Sequence, residues 1–72
     1  MSPAAIRHLH ADAAWGRHAW GTPGLPAVVR EWSDSWDECT VDDHRVIDEF
    51  RNRFATRAEL WAAVDALTEE GA

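Results

Sequence analysis

Lysine, tyrosine and glutamine are absent from this 72-residue chain, and it has one cysteine, Cys39. Each absence excludes something. A lone cysteine cannot close an internal disulfide, so covalent stapling is not what holds so short a chain together. No apolar run approaches the roughly 20 residues that cross a bilayer, which excludes a spanning helix. The N-terminal stretch Met1-Ser2-Pro3-Ala4-Ala5-Ile6-Arg7-His8 lacks a basic start followed by an apolar run, so no secretory leader is expected. A reduced, cytoplasmic protein is the expectation. With arginine carrying all 7 basic positions and alanine abundant, the composition fits a GC-rich bacterial or phage genome.

A positive surface is missing as well. The net charge is −6, from 13 acidic and 7 basic residues. That disfavours direct nucleic-acid binding, which needs a positive field, and attraction to anionic membranes. The acid is concentrated: Glu31, Asp34, Asp37, Glu38, Asp42, Asp43, Asp48 and Glu49 face Arg45 alone, while Arg51, Arg53 and Arg57 make the following stretch basic.

Tryptophan is plentiful, with 5 residues (Trp15, Trp20, Trp32, Trp36 and Trp61). Each indole buries roughly 150–250 Å² and carries one N–H in need of a partner. A domain of this size buries only about 60% of its unfolded surface. Some indoles are therefore expected in the core and some at a partner.

Helical signals run along the chain. Ser2 and Pro3 form a cap followed by proline at the first helical position, predicting a helix from about 3 to 15 with Ile6, Leu9, Ala13 and Trp20 on one face and Gly16 as an interruption. Gly21-Thr22-Pro23-Gly24-Leu25-Pro26 reads as a loop. Val29, Trp32, Trp36 and Cys39 then recur at helical spacing, although Val28, Arg30, Trp32, Asp34 and Trp36 also alternate. Length favours a helix over a strand here. Thr40 and Asp43 form a capping box with Asp in the acidic position, followed by Val46, Ile47, Phe50 and Phe54 on one face, predicting a helix from about 41 to 53 with a Glu49–Arg53 pair. Thr56 and Glu59 form a second box before Leu60, Trp61, Val64 and Leu67, predicting a helix from about 57 to 69 with Gly71 beyond its end. The expected architecture is a single all-α domain. It is a small three- or four-helix bundle with a C-terminal helical hairpin, and the alternative is an α+β fold with a short β-hairpin around residues 15–32.

The candidates for chemistry are weak. His8 with Asp12 and His44 with Asp48 are spaced one helical turn apart, but paired zinc-ligand spacing is absent, so no metal or cofactor is expected. Solvated, capping or ion-paired histidines fit better. Cys39 near His44 lies among acids that raise a thiol pKa, and so short a helical chain offers little room for a pocket. No catalytic residue is assigned and no enzyme is expected.

Two short segments resemble known families. Asp34-Ser35-Trp36 resembles the Asp-Ser-Leu attachment site of acyl carrier proteins, and Ala55-Thr56-Arg57-Ala58-Glu59-Leu60 is similar to their last helix. That resemblance implies a carrier or small subunit of an enzyme complex. No glycine precedes Asp34 and tryptophan replaces the small aliphatic residue, so Ser35 is not carried over as a site. The stretch Phe50-Arg51-Asn52-Arg53-Phe54-Ala55-Thr56-Arg57-Ala58-Glu59-Leu60 resembles the segment closing the DNA-binding domain of TetR-type repressors, without the preceding helix-turn-helix.

The expected working surface is partner-binding: Trp32 and Trp36, one turn apart, with Asp34, Asp37 and Glu38 as an acidic rim. Tryptophan is enriched in interface cores and hot spots. An acidic rim suits a basic protein partner and speeds encounter. Such a module would be an adaptor, inhibitor or regulator, or would self-associate. A competing expectation places both indoles in the core against Phe50, Phe54 and Trp61. A further alternative is an acidic mimic of a nucleic-acid backbone that blocks the basic groove of a nucleic-acid-binding protein.

Overall fold

The computed structural model describes residues 1–18 and 23–67, and these form four α-helices with no strand: α1 (Pro3–His18), α2 (Leu25–Glu38), α3 (Val41–Arg51) and α4 (Arg57–Asp65). The β-hairpin alternative is not supported. Residues 15–18 belong to α1 and residues 25–32 to α2. Trp20 and Gly71 lie outside the described residues.

Polar caps set the helix starts. The Ser2 hydroxyl accepts the Ala5 N–H at 3.1 Å and donates to Asp43 Oδ1 at 2.7 Å, so the starts of α1 and α3 are fastened together. Asp43 completes a reciprocal capping box with Thr40. The Thr40 hydroxyl accepts the Asp43 N–H, and the Asp43 carboxylate accepts the Thr40 N–H. The Thr40 N–H, then Ser2, hold the Asp43 carboxyl below the usual carboxylate range. Thr56 caps α4 by accepting the Glu59 N–H at 3.2 Å. Gly24 caps α2 with φ at 96°, a conformation that favours glycine, and Pro26 follows in the first turn.

The hub is α1, against which α2, α3 and α4 each pack. Ala5, Leu9 and Ala13 lie one turn apart and are fully or almost fully buried, together with Ile47 and Phe50 of α3 and Val64 of α4. Phe54, Leu60, Trp61 and Leu67 close over this core. Ile6, His8 and Ala11 are also buried, so α1 is covered on more than one side.

Four expectations change. Leu25 and Pro26, read as the end of a loop, already belong to α2, because proline fits the first turn of a helix. Gly16 does not interrupt α1, which runs on to His18. The glycine is needed where it is, because a Cβ there would come within 2.7 Å of the Trp61 ring. Further along, α3 stops at Arg51, and Arg53 lies over the Phe50 ring at 5.9 Å. The Glu49–Arg53 helix pair is therefore not formed. Finally, α4 ends at Asp65, with Ala66 as its C-cap.

Candidate interaction surface

The inner face of α2 is an aromatic and polar contact with α1. Trp32 and Trp36 do lie on one face, with parallel rings 6.3 Å apart and 4° between their planes. Both are half-buried, and the face they share is turned toward α1 and α3. Trp32 meets Trp15 edge-on at 5.0 Å and His8 at 5.2 Å. Trp36 meets His8 at 5.0 Å and stacks on His44 at 3.7 Å. The pair thus packs on His8, Trp15 and His44, not on the Phe50, Phe54 and Trp61 cluster. The Trp32 indole N–H donates to Asp12 Oδ1 at 3.1 Å, and the same oxygen accepts from Arg51 Nη2 at 3.1 Å.

Charged contacts seal the edge of this interface. Arg7 of α1 donates to both carboxylate oxygens of Glu31 and to Glu38, and hydrogen bonding from Arg7 lowers the Glu31 pKa. Elsewhere Asp65 pairs with Arg17, and Asp42 with Arg45.

The outer face of α2 is different. Asp34, Asp37 and Glu38 are exposed. Glu38 has Arg7, but Asp34 and Asp37 have no cationic partner within 4.0 Å among the described residues. Asp37 and Glu38 also occupy the last turn of α2, which contains no basic residue. The helix dipole disfavours acid at that end. Beyond the corner, Val41 is 84% exposed. On α3, Asp48 and Glu49 are exposed and likewise unpaired among the described residues.

The histidines depart from expectation most clearly at His8, which has no solvent exposure and whose Nδ1 lies 2.9 Å from Ser35 Oγ. Ser35 is equally buried and donates to the Trp32 carbonyl, so its hydroxyl is shut away from any modifying group. His10 and His18 contact the Leu67 and Ala14 carbonyls. No group of three metal-ligating side chains exists among the described residues. Burial pushes the Cys39 thiol pKa up, and Asp43 and Glu38 add to it.

A cleft of about 350 Å³ opens between α1 and α4, walled by Trp15 and Trp61 with Gly16, Leu60, Asp12 and Arg57. It is larger than the length of the chain suggests, and its carboxylate is already engaged by Trp32 and Arg51.

The aromatic cluster around His8 was not legible as a unit. Ala5, His8, Asp12 and Trp15 recur at helical spacing, yet two of the four are polar, so a search for apolar stripes passes over them.

Among the described residues, no helix is long and apolar enough to cross a membrane. No protein family, curated protein or solved structure matches this chain.

Proposed function

We propose that this chain is a non-enzymatic protein-interaction module that docks on a basic protein surface through the outer face of α2. Asp34, Asp37 and Glu38 supply the charge, and the exposed edges of Trp32 and Trp36 border it. The observation that carries the reading is the placement of Asp34 and Asp37. They are solvent-exposed and lack a cationic partner among the described residues, and Asp37 sits where the helix dipole opposes it. Residues that break a local rule without a compensating contact are candidates for function. With the Trp32 indole bonded to Asp12, recognition is led by charge, and the tryptophans chiefly hold α2 in position.

The test is capture of a partner from nuclease-treated lysate of the native host, using the wild-type chain and an Asp34→Asn/Asp37→Asn variant side by side. A stoichiometric protein recovered by the wild type, lost with the variant and released as salt rises, supports the reading. Equal recovery by both baits overturns it, as does recovery of the bait alone. The unpaired carboxylates of α3, Asp48 and Glu49, favour one second reading, an acidic nucleic-acid mimic. That reading requires the captured protein to be competed away by DNA or RNA.

A further inference from the structure

His8 sits where α1, α2 and α3 meet. Its ring has no solvent exposure and is flanked by Trp32 and Trp36. The hydrogen-bonding arithmetic around it is closed. The Ser35 hydroxyl has one hydrogen and donates it to the Trp32 carbonyl at 3.0 Å. The tautomer with its hydrogen on Nδ1, donated to Ser35 Oγ 2.9 Å away, is the one that leaves no buried N–H without an acceptor. Nε2 carries the bare lone pair, buried and without a hydrogen-bond partner among the described residues. A proton added to Nε2 creates both a buried charge and a buried N–H donor that meets no acceptor, and each is costly.

The surrounding charges do not offset that cost. From α1, Asp12 favours the cation, but its Oδ1 is engaged by Trp32 and Arg51. From α3, Arg51 and His44 oppose it. From α2, the Trp32 carbonyl also favours the cation but less than burial opposes it, Ser35 offers its oxygen to Nδ1, and the indoles of Trp32 and Trp36 lie tilted to the imidazole at 46° and 49°.

We propose that His8 is an acid-sensitive lock: neutral, it seats α2 against α1 and α3, and protonated, it releases α2 and uncovers Trp32 and Trp36. The lock is a property of the fold and stands whatever α2 binds. Burial is the largest influence on the ring and lowers its pKa from the ordinary value of 6.5. The unfolded chain then takes up the proton near 6.5 and the folded chain only at lower pH. Stability from neutral His8 is whole above about pH 6.5 and is lost as pH falls from there toward the folded value. Glu31, Asp43 and Asp65 also titrate below their ordinary values, but those start at 4.5, 3.8 and 3.8. Their stabilisation is lost only at more acid pH, which leaves the window just below 6.5 clear of them.

The experiment is an NMR titration of the histidine ring protons in the wild-type chain. It is paired with thermal unfolding and acrylamide quenching of tryptophan between about pH 7.5 and 5, a range that brackets histidine titration. His8→Asn and His44→Phe are measured alongside. The expected result is a His8 resonance that titrates below 6.5, with a wild-type melting temperature falling by several degrees and quenching rising over the same range. His8→Asn, whose amide still donates to Ser35, flattens the profile, and His44→Phe, which keeps the stack on Trp36, preserves the wild-type slope. A His8 resonance titrating at or above 6.5 overturns the proposal. So does a flat wild-type profile or a slope that survives in His8→Asn. If His8→Asn does not fold, the wild-type titration alone decides.

Discussion

Asp12 joins α1 to both α2 and α3, and its replacement by alanine is the most informative perturbation of this fold. One oxygen, Oδ1, accepts the Trp32 indole N–H and the Arg51 guanidinium, each at 3.1 Å. The side chains of Asp12 and Arg51 are 30% and 31% exposed. The pair therefore lies between two limits: exposed ion pairs contribute about 0–1 kcal/mol, whereas removing one partner of a buried pair costs about 3–5 kcal/mol. Arg51 Nε is already buried without a partner among the described residues, so losing the carboxylate leaves the guanidinium still less satisfied. The Trp32 N–H loses its acceptor in the same step. A loss of about 3 kcal/mol follows from a charge-assisted bond plus an orphaned donor. Against the roughly 4–11 kcal/mol typical of a 72-residue domain, that lowers the melting temperature by more than about 10 °C. Thermal and urea unfolding followed by far-UV circular dichroism measure it. Asp12→Asn keeps an oxygen acceptor and should lose less. Adding Arg51→Met to Asp12→Ala should restore part of the loss, because the stranded charge goes with it. A variant Asp12→Ala within about 0.5 kcal/mol of wild type would refute the three-helix role assigned to this carboxylate.

Other outcomes follow from the same contacts. Thr40→Ala removes the acceptor for the Asp43 N–H and should cost about 1 kcal/mol in thermal unfolding, and an unchanged transition would mean the box is idle. Gly16→Ala gains about 1 kcal/mol of helix propensity but drives a Cβ to 2.7 Å from the half-buried Trp61 ring. A net loss of about 1–2 kcal/mol with an altered near-UV spectrum is expected, and net stabilisation would show that Trp61 yields freely. Asp34→Asn/Asp37→Asn should leave the melting temperature unchanged or raise it by about 1–3 °C, since it relieves acid near the end of α2, and a clear drop would mean these residues serve the fold. Cys39 should react with a thiol reagent at neutral pH more slowly than a free cysteine does, because burial raises its pKa, and equal rates would contradict that assignment.

Where a helix starts is decided by groups within three or four residues, and three of the four starts are readable from the chain, α2 beginning at Leu25 inside the segment that reads as a loop. Ser2-Pro3, Thr40 with Asp43, and Thr56 each cap a helix in the structure. The buried stripes were readable for the same reason: Leu9 and Ala13, Ile47 and Phe50, and Val64 all lie where helical spacing puts them. Helix ends were less readable because distant residues decide them. Gly16 reads locally as a break, but α1 continues through it, and Trp61, 45 positions further on, occupies the space that a side chain there would fill. Arg53 reads locally as a helical partner for Glu49, but α3 has ended and the guanidinium lies over Phe50.

The candidate site divides along the same line. Spacing says that Trp32 and Trp36 share a face, and their parallel rings bear that out. Spacing cannot say which way the face points. That depends on His8 and Trp15 of α1, which become neighbours only when α2 packs against α1. Spacing allows the tryptophans either to lead at the surface or to pack inward, and with their inward contacts made, the surplus left facing solvent is charge. Arg7 holds Glu31 and Glu38, Arg51 holds Asp12, Arg17 holds Asp65, and Asp43 serves as a cap. Subtracting those carboxylates, and Asp42 with its Arg45, leaves Asp34 and Asp37 side by side on one exposed face of α2, with Asp48, Glu49 and Glu59 exposed and unpaired elsewhere among the described residues. A composition of net charge −6 says that such a surplus exists. Only the pairing pattern says where it lies, and that pattern is set by tertiary contacts spanning 24 to 48 positions along the chain.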